Sequence, residues 1–537
     1  MMARLGILLA LAAASLQFVA LFDRDLRLPD EPREAEIARE YATREGWAVP
    51  TLNGGRWLEK PPLYHWIVAT LFQVTEKATP GLARLPSALA GLGIGVLAWL
   101  MMRRLGPPGM GPTSRWAAAF LAWTSAELMN ASHVAMVDAL FAFLVTAALF
   151  CFALGHLTEG RNTPLWNVLF AFAAGLSFLA KAHLGPVLIG VSVLACCGLR
   201  GDFKPIRSLL SPLPLLVFLG TVLPWPALLW MREHQADLWH EEVARLAGKP
   251  GTSDMAFQAL REVLWGQMLD RTQGGSYGHA QPAWYYLPRL FTYAAPASLA
   301  LPFALPWAWK RRREPLVALC AGWIVGSVLL LSLPSAKRAI YLVPCVAPAA
   351  VLVALWGREK IGKRLLLATG LLAMAGALAL PSVFPEVRLW AWVLGMLAAS
   401  VLLRALVGKP REALGVLGVW ILAAWLAVGQ SQGARLDTTE SFAPLAGEMT
   451  SRAARRVIVG YRLSENLQGA FCFALGQRVS SFTEPKNLLE SLREGRRLVV
   501  MPQTAWEELP GEAKALLRME LEREVASIRF VVATTGS

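Results

Sequence analysis

The chain has 537 residues, 55% of them hydrophobic and only 17% charged, with a mean hydropathy of +0.44 and a formal net charge of +14. Soluble proteins carry charge on about a quarter of their residues, so this composition excludes an ordinary globular cytosolic chain, and 21 tryptophans point to lipid as the main solvent. The basic balance does not mark a nucleic-acid partner: Arg103, Arg104, Arg200, Lys204, Lys310, Arg358, Arg364, Lys409 and Arg411 lie in short gaps between apolar runs, where Lys and Arg record cytoplasmic retention.

Apolar runs long enough to span a bilayer occur at about 3–22, 82–102, 116–134, 137–157, 166–181, 183–199, 209–231, 290–309, 315–333, 339–356, 362–380, 386–407 and 413–430. The first has a single Arg before it and is read as an uncleaved helix rather than a signal peptide. Basic residues concentrate in the gaps after even-numbered runs. That places those gaps and the N-terminus in the cytoplasm, and the odd gaps and the C-terminus outside. The fold class expected is a polytopic α-helical membrane protein with about thirteen spanning helices, residues 1–430, followed by a small α/β domain, residues 431–537.

Two long outer segments, 23–81 and 232–289, interrupt the membrane domain. In the first, Glu34 to Glu45 reads as a polar helix, and Leu63 to Val74, opened by Pro61-Pro62, is short enough to be interfacial. Beyond residue 431, strands are expected at Val457–Tyr461, Arg478–Phe482, Leu498–Met501 and Ile528–Ala533, with helices at Glu465–Leu475, Glu484–Glu494 and Ala505–Glu524. Five cysteines lie in apolar runs, Cys472 stands alone in the polar part, and no spacing suggests a disulfide framework or zinc.

Polar residues collect at the outward connections: Asp30, Glu31, Glu59, Lys60, Glu127, His133, Asp138, Lys181, His183, His279, Lys337, Arg338 and Tyr341. Under this topology all can reach one membrane surface, and ionisable groups at a membrane are costly enough to be functional as a set. Asp30-Glu31 can serve as a base or orient a sugar; it can equally favour the start of a helix. Glu59-Lys60 stands on a backbone stiffened by Pro61-Pro62, suited to a metal or phosphate contact or to a snorkelling anchor. Lys337-Arg338 sits in a very short outer turn against the positive-inside bias, which a lipid phosphate or anionic headgroups would explain. His279, with a distant carboxylate, can bind a divalent ion.

The stretch Asp30-Glu31-Pro32-Arg33-Glu34-Ala35-Glu36-Ile37-Ala38-Arg39, with Val49-Pro50-Thr51-Leu52-Asn53-Gly54 and Leu58-Glu59-Lys60-Pro61-Pro62-Leu63-Tyr64, resembles the first outer loop of the membrane GT-C glycosyltransferases. The nearest resemblance is to the 4-amino-4-deoxy-L-arabinose transferases that modify lipid A, within the wider group related to protein O-mannosyltransferases. It implies a multi-pass protein of the bacterial inner membrane that uses an undecaprenyl-phosphate-linked sugar and a lipid A, glycan or protein acceptor, with active site and C-terminal domain in the periplasm. Carried over, Asp30, Glu31 and Asp138 would be catalytic, and Arg33, Lys60, Tyr64, Lys337, Arg338 and Tyr341 would bind substrate. Glu59 and His279 would hold a divalent metal ion. Two positions depart from the pattern: His65 stands where an aromatic is expected, and Ala283 where Trp is common. A protein O-glycosyltransferase is the alternative, and a membrane transporter is disfavoured because no repeated halves are visible.

Overall fold

The computed structural model describes residues 2–43, 47–158, 163–246, 255–262, 280–293, 295–360, 362–383, 388–454 and 456–536. The chain forms two compact units: Met1–Val19, Glu59–Leu63 and Ser87–Ser431 in the first, and Ala20–Leu58, Tyr64–Pro86 and Gln432–Ser537 in the second. The N-terminal half runs through α1 (Met2–Leu16), α2 (Glu31–Thr43), α3 (Leu63–Thr75), α4 (Pro80–Leu105), α5 (Pro112–Trp123), α6 (Ala126–Ser132), α7 (Val137–His156), α8 (Thr163–Lys181) and α9 (Leu184–Arg200).

Among the described residues each of the thirteen apolar runs contains helix. Among the described residues nine helices are long and apolar enough to cross a membrane, and Arg4–Leu16 and Leu184–Arg200 are shorter apolar helices. The run 116–134 is divided between α5 and α6, because Thr124 and Ser125 stand between them and Ser125 is extended, with ψ 130°. Helix α7 is enclosed on nearly all sides, as its unbroken apolar sequence requires. By contrast the helices Lys363–Val383 and Arg388–Leu406 keep Leu371, Leu372, Leu378, Leu389 and Trp392 exposed, faces suited to lipid rather than water. Helix α9 packs on Pro315–Ser332 through Gly322 and Gly326, four residues apart. A Cβ on Gly322 would lie 2.7 Å from the backbone nitrogen of Cys196, and one on Gly326 3.1 Å from Val191. Small residues at this spacing let two backbones approach where lipid gives no hydrophobic drive for association.

The second unit contains a five-stranded sheet in the order β4-β3-β5-β7-β6. Strands β3 (Val457–Tyr461), β4 (Ser480–Phe482) and β5 (Arg497–Pro502) are parallel, while β7 (Ile528–Thr535) pairs antiparallel with β5 and β6 (Leu517–Val525) antiparallel with β7. Alternation sorts the strand side chains. Ile458, Leu498, Val500, Phe530 and Val532 face Leu467 and Phe471, whereas Val459, Tyr461, Val499, Met501, Val531 and Ala533 face Leu488 and Leu492. A short hairpin, β1 (Thr51–Leu52) and β2 (Gly55–Arg56), belongs to the same unit.

One expectation fails here. The helix expected over Ala505–Glu524 is two short helices, Gln503–Glu507 and Gly511–Ala515, followed by β6. Pro510-Gly511 interrupts any continuous helix, and Leu517, Met519 and Leu521 alternate with polar residues in the rhythm of a half-buried edge strand. Ala526 and Ser527, both at positive φ (51° and 62°), close the two-residue turn into β7.

Replacing Gly322→Val is expected to force α9 and its partner apart and lower stability by about 1–3 kcal/mol, the usual cost of overpacking. A lowered thermal midpoint of the full chain in detergent checks this.

Candidate active site

In the second unit, five acids are buried, Asp30 just before α2 and Glu31, Glu34, Glu36 and Glu40 along it. Buried carboxylates persist only when paired or hydrogen-bonded, and the described geometry supplies partners. Glu31 is clamped by Arg84, with Nε 2.7 Å from Oε1 and Nη2 2.9 Å from Oε2. The same guanidinium donates to the carbonyls of Arg24 and Asp25, both at 2.6 Å, and the amide of Arg27 donates to Glu31 at 3.0 Å. Asp30 accepts from Arg33 Nη2 at 3.1 Å, and its carbonyl accepts the amide of Glu34. Arg33 also lies over the Trp57 ring at 5.5 Å and stands 3.8 Å from Glu465. Glu34 meets His65 Nε2 at 2.9 Å. Tyr64 donates its hydroxyl to the carbonyl of Ala83 at 2.7 Å; in this unit it braces α3 against α4.

Further along α2, Arg39 holds Glu36 through two 2.7 Å bonds and donates to the carbonyl of Gly476. Burial pushes the Glu36 carboxyl up to about 7, against the opposing pull of Arg39. Glu40 accepts from the Thr51 hydroxyl at 2.5 Å and the Gly54 amide at 3.0 Å. Helix α2 packs on Glu465–Leu475, and Gly469 makes that possible: a Cβ there would lie 2.6 Å from Cα of Arg33. Asn53 completes the join, accepting the Val479 amide at 3.1 Å and donating to its carbonyl at 2.6 Å.

In the first unit, Asp138 lies in the first turn of α7 and pairs with Lys181 at the end of α8. The Lys181 ammonium also stands 4.3 Å from the centre of the Tyr341 ring and 5.4 Å from that of Phe141. A carboxylate, an ammonium and an aromatic face are thus assembled from three separated stretches of chain. Residues 335–338 are tied to 280–286: Ala280 and Ala336 form an antiparallel bridge, the Gln281 amide donates to the Ser335 carbonyl, and the Tyr286 hydroxyl donates to that of Arg338. Lys337 is buried and donates to the carbonyls of Gln281 and Pro334. Its described partners make it a strap across the turn. Glu59 and Lys60 are half-buried and engaged with other groups.

The family described as dolichyl-phosphate-mannose-protein mannosyltransferase matches residues 7–225. The undecaprenyl phosphate-alpha-4-amino-4-deoxy-L-arabinose arabinosyl transferase 2 of Pseudomonas fluorescens is 27% identical over 452 residues, covering 79% of this chain and 71% of that protein. An arabinosyl transferase of the same kind from Pseudomonas aeruginosa is 30% identical over 382 residues, 69% of this chain and 63% of that relative's length. The chain therefore spans just under two thirds of the second enzyme. ArnT from Cupriavidus metallidurans, solved bound to undecaprenyl phosphate, superposes with a TM-score of 0.76 at 20% identity over 98% of this chain and 97% of that one. The chain has the membrane fold of the GT-C glycosyltransferases. It resembles the 4-amino-4-deoxy-L-arabinose transferases, and the archaeal oligosaccharyltransferase AglB from Archaeoglobus fulgidus shares the fold more distantly (TM-score 0.52, 13% identity, 94% and 70% covered).

Within this GT-C chain the predicted residues fall into two sets. Asp30, Glu31, Arg33 and Tyr64 belong to the second unit; Glu59, Lys60, Asp138, Lys337, Arg338 and Tyr341 belong to the first. His279 lies outside the described residues. Sequence reasoning named Lys181 among the outward polar residues without giving it a role, yet it joins Asp138 to Tyr341. It missed Arg84 altogether, although an arginine inside an apolar helix is itself a signal. It noted His65 only as a departure from the family pattern.

Arg84→Ala is expected to destabilise the second unit by about 3–5 kcal/mol, because it strands the Glu31 carboxylate in the interior. Thermal melts should show the double replacement Arg84→Met with Glu31→Leu recovering part of that loss.

Proposed function

We propose that this GT-C glycosyltransferase moves a sugar, 4-amino-4-deoxy-L-arabinose or another pentose or hexose, from an undecaprenyl-phosphate donor to lipid A or a similar acceptor. The carrying observation is 30% identity over 382 residues to an arabinosyl transferase. We place the reaction and residues 431–537 on the periplasmic face of a bacterial inner membrane, which the bias of Lys and Arg between alternate gaps supports.

The chemistry is an inverting displacement. An acceptor oxygen attacks the anomeric carbon as its bond to the donor phosphate breaks, and the electron pair leaves on that phosphate. Cations lower the barrier where this charge develops, the role proposed for Lys60, Arg338 and Lys181, with Tyr341 limiting where the Lys181 ammonium can stand. Asp30 takes the proton of a hydroxyl acceptor; for an acceptor that is already a phosphate anion it orients the donor or balances a sugar amine. Its bond to Arg33 fixes the carboxylate direction in either case. Asp138 holds Lys181 in place. Glu31, fully engaged by Arg84, serves by fixing the turn that carries Asp30.

The divalent ion at Glu59 and His279 is a separate proposal. Among the described residues no three of His, Cys, Asp and Glu gather as a ligand set, so the described side chains do not by themselves fit an ion, and no step above runs through one. Full transfer after exhaustive chelation would discard it.

A protein acceptor is the second reading, supported by the mannosyltransferase family match over residues 7–225. Mass spectrometry of lipid A and of undecaprenyl-phosphate sugars, from cells with and without the protein, separates the two. A protein-dependent sugar on lipid A is the expected result. Unchanged lipid A with donor accumulating in the deletion would move the search to protein acceptors. Asp30→Asn, expressed at the normal level, is expected to lose roughly 100-fold or more of transfer to a hydroxyl acceptor; wild-type turnover in that assay would remove Asp30 from the mechanism.

A further inference from the structure

The pattern of related first loops leads one to expect an aromatic at position 65, and this chain has a histidine. Its surroundings are apolar and closed. His65 is 1% exposed, packed edge-on against Trp57 and Tyr64 with ring centroids at 5.6 and 6.1 Å, and Tyr41 lies at 6.5 Å. Nε2 is 2.9 Å from Glu34 Oε2, and Nδ1 is buried with no hydrogen-bond partner among the described residues. An imidazole so placed keeps a proton on Nε2, where it donates to the carboxylate. The second oxygen of Glu34 lies 3.5 Å from Arg33 Nη2, the nitrogen that donates to Asp30 at 3.1 Å. Glu34 is 0% exposed, and Arg33 and Asp30 are 8% and 7% exposed.

We propose that His65 is a positioning residue for Asp30, acting through Glu34 and Arg33. The imidazole fixes the rotation of the Glu34 carboxylate; that carboxylate aims one branch of the Arg33 guanidinium, and the guanidinium sets the direction of Asp30. The same guanidinium carbon lies 5.5 Å from the centre of the Trp57 ring, a further restraint on where it stands. A phenylalanine at 65 would fill the space and remove the Nε2 contact to Glu34. The proposal rests on Asp30 acting in sugar transfer, as set out above.

The test compares His65→Phe, which keeps the ring and loses the donor, with His65→Gln, which keeps a donor near the Nε2 position. Both are made in the full chain and assayed in detergent with undecaprenyl-phosphate 4-amino-4-deoxy-L-arabinose and lipid A. Misplacement of a reacting group by about 1 Å can cost roughly 100-fold, so kcat is expected to fall tenfold or more in His65→Phe, at unchanged KM, and to recover most of its value in His65→Gln. Wild-type kcat in His65→Phe, or equal losses in both variants, overturns the proposal. Should His65→Phe fail to fold, Glu34→Gln replaces it: the isosteric amide is expected to lower kcat, and wild-type kcat there overturns the proposal. An activity-independent readout separates this from failure of the transfer reading. In 15N-histidine spectra of the wild-type protein, the resonance lost in His65→Gln should report a protonated Nε2 that shifts in Glu34→Gln. A proton on Nδ1 alone overturns the relay even where no sugar transfer is detected.

Discussion

The second unit depends on the two-pronged ion pair between Glu31 and Arg84. Arg84 comes from an apolar helix and is 1% exposed, so its charge can be tolerated only if every face of the guanidinium is answered. Glu31 answers one edge, and carbonyls of the turn at residues 21–25 answer the other. The pair thus fastens the entry to α2 at the residue beside Asp30. Such a pair contributes little net stability compared with a well-packed apolar replacement, and its worth here lies in the single geometry it permits.

The same logic runs along α2. A helix whose sequence reads as polar is buried over most of its length, since its acids meet Arg33, His65, Arg39, Thr51 and Gly54. In the first unit the logic is sparser. Asp138 and Lys181 answer each other, and Lys337 is answered by backbone carbonyls. Two lysines that look alike as sequence features therefore differ in chemistry: one faces an acid and an aromatic ring, the other closes a turn.

Much of this was legible in the sequence. The apolar runs became helices because span length is a strong one-dimensional signal, and four of the five strands of the C-terminal sheet were visible from alternation. The segment Ala505–Glu524 was misread because a charged stretch rich in Glu and Arg carries helix propensity, while its strand state comes from pairing with β7, which follows it across a two-residue turn. The burial of α2 was not legible either, because its partners are supplied by residues 57, 65, 84 and 465–479, and no local pattern announces a long-range ion pair. Gly469 shows the same limit: a glycine within a helix is a weak mark until the backbone of Arg33 is seen to occupy the space a side chain would need.

The reciprocal bonds between Asn53 and the backbone of Val479 join positions 426 residues apart. Synthesis proceeds from the N-terminus, so the loop bearing Asn53 is made early and must wait for nearly the whole polypeptide before this partner exists. Until residues 432–537 are made, α2 lacks the surface on which it packs. A nascent or truncated chain can form the Glu31–Arg84 pair and still leave the far side of α2 uncovered. Completion of the C-terminal sheet is thereby the last step in burying α2.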